Sequence, residues 1–256
     1  MLGSGTAAPD AERGPAGFLV EHGGHAWLVD GGSGTLQRCM RAGVDPRLLS
    51  GGFYSHRHPD HCADLVPLLF ALRTSRHGRT EPYPIWAGTG FSAFMESLEE
   101  VYGHWITPDC GIAVHELPLD GMGRVEHEGL TVVTCPANHS AGALHLRFEA
   151  DGAAVVFSGD TGPSEGLIAL ATGADLLVCE CAGSDTHRVD GHMYPSAVAE
   201  LARRARPRAL WITHLYPTTD PEEVLRTVGQ VMPLRLAADG DRWTAHEGAS
   251  PDPGAG

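Results

Sequence analysis

Cations are scarce in this chain: 18 Lys and Arg face 32 Asp and Glu, a formal net charge of −14 with histidine neutral. Binding along a phosphate backbone works through clustered cations that displace condensed counterions, so an extended nucleic acid is disfavoured as a partner. The nearest basic run, Arg203-Arg204-Ala205-Arg206-Pro207-Arg208, reads instead as the end of a helix, where cations meet the negative end of the dipole. Long apolar runs are also lacking. None approaches the ~20 residues of a membrane span, and no basic-then-apolar leader opens the chain. Cysteine is unpatterned: Cys39, Cys62, Cys110, Cys135, Cys179 and Cys181 are scattered, which predicts reduced thiols in a cytoplasmic protein with no membrane partner. There is no repeat at a period of about 20–50 residues, no stretch of linker composition, and no Ser-His-Asp or Cys-His nucleophile constellation.

Gly and Pro punctuation is plentiful, with 33 and 18 residues. It separates strand-like from helix-like segments in alternation, which predicts one α/β domain over residues 1–247. Residues 248–256, rich in Pro, Gly and Ala, are expected to be a disordered tail. Residues 74–84, with Arg73, Arg76, His77 and Arg79, read as a polar loop. Phe91, Phe94, Met95, Leu98 and Val101 make an apolar helical stripe, which is ordinary core material. Tyr102-Gly103-His104-Trp105 follows as a candidate pocket mouth.

Histidine is concentrated where it can do chemistry. His56-Arg57-His58-Pro59-Asp60-His61 packs three imidazoles and a carboxylate into six residues. Zinc takes neutral imidazole nitrogen and carboxylate oxygen. Neighbours on so short a segment point in different directions, so the run suits two adjacent ions better than one. His56 and His58 would share a face, with Asp60 and His61 turned to a second ion. The competing reading is a His-rich surface loop, and among 15 His a chance pair is ordinary. The flanks favour a built site. Residues 48–55 read as a buried strand weakened by Gly51-Gly52, and Leu65, Val66, Leu68, Leu69 and Leu72 recur at helical spacing, so a helix starts near His61.

Three further motifs follow in order. Pro136-Ala137-Asn138-His139-Ser140 ends a β-like run at 130–135, Val155-Val156-Phe157-Ser158-Gly159-Asp160-Thr161 ends another, and Leu210-Trp211-Ile212-Thr213-His214-Leu215 a third. With H-x-H-x-D-H at the first strand end, residues 2–246 resemble the metallo-β-lactamase superfamily of metallohydrolases. That resemblance implies an αβ/βα four-layer sandwich with a metal centre at one edge. It implies that His56, His58 and His139 hold one ion, that Asp60, His61 and His214 hold the other, and that Asp160 bridges them. By ligand type the two divalent ions are best served by zinc, with manganese or iron also compatible. Metal-bound hydroxide would be the nucleophile, and Asp60 a second time the acceptor of its proton. Taken singly, His139 would read as a core or surface histidine.

Two more segments point to a branch. Asp175-Leu176-Leu177-Val178-Cys179-Glu180-Cys181 is a buried-strand pattern, and Gly191-His192-Met193-Tyr194-Pro195-Ser196 opens a helix. The pairing resembles the ribonuclease Z-like branch, which implies that His192 acts on the leaving oxygen and Glu180 orients it. The alternatives are a structural ion pair and a plain helix-start residue. Leu2-Gly3-Ser4-Gly5-Thr6-Ala7-Ala8-Pro9 and Asp30-Gly31-Gly32-Ser33-Gly34-Thr35 are similar to that branch too, although turn chemistry alone accounts for them. Relatives carry a strand before the first of these turns, so either that strand is short here or the assigned start is late.

A tRNA 3′-end endonuclease of the branch usually inserts an arm between the third His and the bridging Asp. The short interval from His139 to Asp160 reads instead as two strands joined by Ala150-Asp151-Gly152. It resembles the compact small-substrate members, such as the cyclic-phosphate phosphodiesterase, without that enzyme's Cys-dependent structural zinc. The expected function is therefore hydrolysis of a small, even cyclic, phosphodiester. The alternatives are tRNA 3′ processing and lactone or thioester hydrolysis. A di-iron oxidoreductase is disfavoured because such proteins carry Glu where His58 stands, and a scaffold because every ligand position is filled. A homodimer is expected from resemblance alone.

Overall fold

The computed structural model describes residues 1–74 and 78–245. The first sheet runs in the order β1 (Gly17–His22), β2 (His25–Gly31), β3 (Gly51–Tyr54), β4 (Tyr83–Gly88) and β5 (Ile112–Leu117), antiparallel only at β1–β2. Helices α1 (Thr35–Arg41), α2 (Pro59–Cys62), α3 (Leu65–Thr74) and α4 (Phe91–Tyr102) connect its strands. The second sheet contains β6 (Gly123–His127), β7 (Leu130–Pro136), β8 (Leu144–Ala150), β9 (Ala153–Phe157), β10 (Leu176–Glu180), β11 (Ala209–Thr213) and β12 (Arg235–Leu236), in sequence order. It is antiparallel from β6 to β9 and parallel from β9 to β12. Helices α5 (Glu165–Ala171), α6 (Pro195–Ala205) and α7 (Pro221–Val228) belong to this half.

The period-2 alternation of strands divides the core into three layers of side chains. Trp27, Val29, Phe53 and Trp86 from the first sheet meet Val132, Leu146, Phe148, Phe157, Val178 and Trp211 from the second. Their sequence neighbours point outward: Leu28, Tyr54 and Ile85 pack with Leu65, Leu68, Leu69 and Leu72 of α3. On the far side Val156, Leu177, Cys179, Leu210 and Ile212 pack with Leu167, Val198, Leu201 and Val224 of α5, α6 and α7. The result is the αβ/βα four-layer sandwich of the metallo-β-lactamase fold.

Element boundaries depart from the sequence pattern at the first ligand run. Pro46–Leu48 forms a 3₁₀ turn capped by Asp45, whose side chain accepts from Arg47 N, so the strand begins only at Gly51. A Cβ at Gly51 would fall 2.6 Å from the Trp86 ring, so the glycine admits the neighbouring strand's indole rather than weakening the sheet. The helix after the first ligand pair, α2, begins at Pro59, where proline's missing N–H costs nothing. Asp60 therefore sits inside a one-turn helix together with His61, and not ahead of it.

The interval from His139 to Asp160 is a β8–β9 hairpin with the two-residue turn Asp151-Gly152, both at positive φ, 49° and 79°. Such a turn matches the twist of the flanking strands. The stripe on α4 is core at Phe91 and Met95, whereas Val101 is 74% exposed. Trp105 is exposed too and rests edge-on against Phe70 of α3. The basic run does close α6. Arg204 pairs with Glu165 and Arg208 with Asp175. Arg76, His77 and the proposed tail at 248–256 lie outside the described residues. Among those described, no helix is long and apolar enough to cross a membrane.

Candidate metal centre

The site residues gather where strands of both sheets end. Asp30 lies on β2, and β3 leads into His56 and His58, with α2 carrying Asp60 and His61. From the second sheet, His139 follows β7, Asp160 follows β9, Glu180 ends β10 and His214 follows β11, while His192 precedes α6. The sheets are stitched here, since Leu144 N–H donates to Ser55 O at 2.9 Å. Arg57, between two of the histidines, donates to Gly90 O at 3.1 Å in one half and to Ala141 O at 3.4 Å in the other.

All seven residues expected as ligands meet, in two groups: His56, His58, His139 and Asp160, and Asp60, His61, His214 and Asp160. In the first group His139 Nε2 is 3.1 Å from His58 Nδ1, and Asp160 Oδ2 is 3.7 Å from His56 Nε2 and 3.9 Å from His139 Nε2. In the second, Asp160 Oδ1 is 3.2 Å from His61 Nε2 and 3.5 Å from His214 Nε2, and Asp60 Oδ2 is 3.3 Å from His214 Nε2. One oxygen of Asp160 thus serves each group. A tetrahedral zinc with bonds of about 2.0–2.1 Å has ligand–ligand edges of roughly 3.3 Å, which these separations approach.

The donor chemistry fits cations. His56 Nε2 and Asp160 Oδ1 are buried without a hydrogen-bond partner, an expensive state for polar atoms unless a ligand completes them. Burial holds the His56 imidazole far below its usual pKa and lowers that of His139 as well. Both are therefore neutral at pH 7, the form that binds metal.

Outer hydrogen bonds fix which ring nitrogen faces inward. His61 Nδ1 donates to Asp30 Oδ2 at 2.8 Å, and Asp30 is itself held by Ser55 N and Ser55 Oγ at 2.7 and 2.8 Å. His139 Nδ1 donates to Gly191 O at 2.9 Å, which frees Nε2. Such partners orient a ligating imidazole and raise its basicity. His214 stands in the left-handed region at φ 57°. Its backbone N–H donates to Ser4 O at 3.0 Å, and the Thr213 hydroxyl donates to the same oxygen. Ser4 is fastened in turn to Asp239. The opening turn is thus the seat of the last histidine.

Glu180 and His192 form a pair. His192 Nδ1 and Glu180 Oε1 are 2.9 Å apart, and Glu180 is fully buried. The same Oε1 accepts from Thr161 N at 2.8 Å, and Oε2 from Ala182 N at 3.0 Å. One carboxylate therefore ties His192 to the turn that carries Asp160. Burial raises the Glu180 pKa. Burial works against a charged His192, but the hydrogen bond to Glu180 and the nearby carboxylates outweigh it and raise the imidazole's pKa.

Several contributors are not legible from sequence. Asp30 closes a strand as a single carboxylate, and its only signal is its place before the Gly-rich turn. His145 is fully buried, donates from Nδ1 to Ser158 O at 2.6 Å and lies 3.2 Å from Ser164 Oγ, bracing the segment around Asp160. Burial lowers its pKa to about 4. Tyr216 sets its ring perpendicular to those of His192 and His214.

Comparison with known proteins agrees with this geometry. The family model described as the Beta-lactamase superfamily domain matches residues 25–215. A ribonuclease Z of Mycobacterium bovis is 33% identical over 244 residues, covering 86% of this chain and 86% of that protein. Among solved structures, the metallo-beta-lactamase fold protein YhfI from Bacillus subtilis superposes with a TM-score of 0.83 at 22% identity, covering 94% of this chain and 96% of its own. Human tRNase Z, short form, superposes at 0.73 with 22% identity, covering 93% and 95%.

Proposed function

The chain belongs to the beta-lactamase superfamily and is a metal-dependent hydrolase of that fold, related to ribonuclease Z, and from that premise we propose that it hydrolyses phosphodiesters. The observation that carries the reading is the His192–Glu180 pair. His192 is in ring contact with His139 of one ligand group and His214 of the other. A proton donor held at that junction by a buried carboxylate suits a departing alkoxide, which leaves poorly as an anion.

The residues that would hold two divalent ions, zinc by donor type, are His56, His58 and His139 for one, Asp60, His61 and His214 for the other, and Asp160 for both. When bound, such ions polarise phosphoryl oxygen and lower the pKa of a water towards about 7. A water attacking phosphorus would form the new P–O bond as the bond to the leaving oxygen breaks. Asp60 accepts the proton that the water loses. His192 gives the leaving oxygen the proton on Nε2, the nitrogen that Glu180 leaves free. Glu180 keeps Nδ1 occupied and so fixes the tautomer.

The identity to ribonuclease Z favours RNA, including a tRNA 3′ end, as the diester. A second reading, a small or cyclic diester, is favoured by the two-residue β8–β9 hairpin, which leaves no arm between His139 and Asp160, and by the net charge of −14. The test is a screen of metal-quantified protein against precursor tRNA, cyclic nucleotides, bis(p-nitrophenyl) phosphate and a lactone panel. Turnover of diesters is expected, and precursor tRNA against cyclic nucleotides decides between the two readings. Lactone cleavage with no diester turnover would overturn both.

A further inference from the structure

Tyr216 stands beside this centre and has no part in the mechanism above. Its ring lies at 89° to both His192 and His214, with centroids 6.3 and 5.9 Å away. Those two imidazoles are nearly parallel, 12° and 5.7 Å apart. The phenol therefore flanks both the candidate acid and a candidate ligand.

The backbone builds this placement. His214 turns the chain through its left-handed φ, and Pro217 confines Tyr216 to extended backbone. Thr219 N–H donates to Tyr216 O at 2.9 Å, closing the turn, and the Thr219 hydroxyl donates to Ala182 O at 2.5 Å. The turn is thus fastened to the strand end that carries Glu180. The ring is only partly exposed, and the Tyr216 hydroxyl makes no hydrogen bond with another described residue. Asp60, Asp160 and Glu180 are the carboxylates that act on it. The phenol is thus a protonated donor at the edge of the site, bonded to none of these carboxylates.

We propose that Tyr216 is a substrate-contacting residue whose hydroxyl donates a hydrogen bond to a non-bridging oxygen of the bound phosphoryl group, beside His192. The proposal rests on the phosphodiesterase reading, and its test separates the two. Zinc-loaded wild type and Tyr216→Phe, which keeps the ring and its edge contacts, are compared in two measurements. These are steady-state hydrolysis of bis(p-nitrophenyl) phosphate and calorimetric titration with inorganic phosphate, with zinc content as the control. In Tyr216→Phe, kcat/KM is expected to fall about 10- to 100-fold, the scale of one hydrogen bond to a charged acceptor. Phosphate affinity should fall in the same direction while zinc content stays unchanged. Equal turnover and equal phosphate affinity in the two proteins would overturn the proposal and leave the phosphodiesterase reading standing. A wild type that binds phosphate more tightly than Tyr216→Phe yet cleaves no diester would overturn that reading and support this contact. A wild type that neither binds phosphate nor cleaves a diester would overturn both.

Discussion

Two candidate ligand groups share Asp160 and differ in exposure and in what braces their imidazoles. Asp60, His61 and His214 are buried, and His61 is braced by a carboxylate, Asp30, that two donors of Ser55 hold in place. In the other group His58 is exposed, and the bracing comes from neutral oxygens, Ser55 Oγ at His56 and Gly191 O at His139. Burial strengthens a cation's attraction to its ligands, and a carboxylate partner makes an imidazole a better donor than a carbonyl does. The inner group should therefore hold its ion tightly, and the outer group should exchange with solvent.

The sharpest way to break this comparison is Asp160→Ala, which removes the oxygen common to both groups. Loss of both zincs is expected, with hydrolysis down roughly 10³-fold or more, and elemental analysis of the purified variant checks it. Next in size is His192→Ala, for which kcat should fall about 10²–10⁴-fold with zinc content intact. Its pH profile carries a sign. If His192 is the proposed acid, its raised pKa means that wild-type kcat should persist through pH 6.5, the ordinary histidine value, and decline as pH rises further. A His192→Ala enzyme with wild-type turnover would remove the acid from the account. Asp30→Asn should weaken the inner zinc about 10- to 100-fold and leave the outer one almost unchanged. A competition titration against a chelator reads that difference, and equal weakening of both zincs would erase the distinction between the groups.

A smaller effect concerns stability. Burial pushes the His145 pKa down to about 4 in the folded chain, below the 6.5 of an ordinary imidazole. The unfolded chain binds the extra proton between those values, so the contribution is present above pH 6.5 and is lost as pH falls through about 4. The scale is about 3 kcal/mol, and His145→Gln should flatten that stretch of a urea-melt series against pH.

Much of the fold was legible because its signals are local. Apolar runs at 130–135 and 210–215 mark strands, α3 shows its spacing in Leu65, Leu68, Leu69 and Leu72, and each ligand follows a strand end. The ligand motifs survive in sequence because ligand chemistry tolerates few residue types. Asp30, Arg57, His145 and Tyr216 carry no such mark, since what they do depends on partners far away in the chain, such as Asp30 with His61 and Arg57 with Ala141. The opening turn shows the same limit: residues 2–6 read as turn chemistry, while their contact with His214 exists only after folding. Gly51 was misleading for a related reason, because the Trp86 ring that requires it lies on another strand.

The central claim is a pair of unequal metal sites joined by Asp160, and zinc titration by calorimetry of the metal-free wild type and His58→Ala tests it most directly. The account predicts two zincs per wild-type chain, one tighter than the other, and retention of the tighter one in His58→Ala. A single zinc in the wild type, or loss of both in His58→Ala, would contradict it.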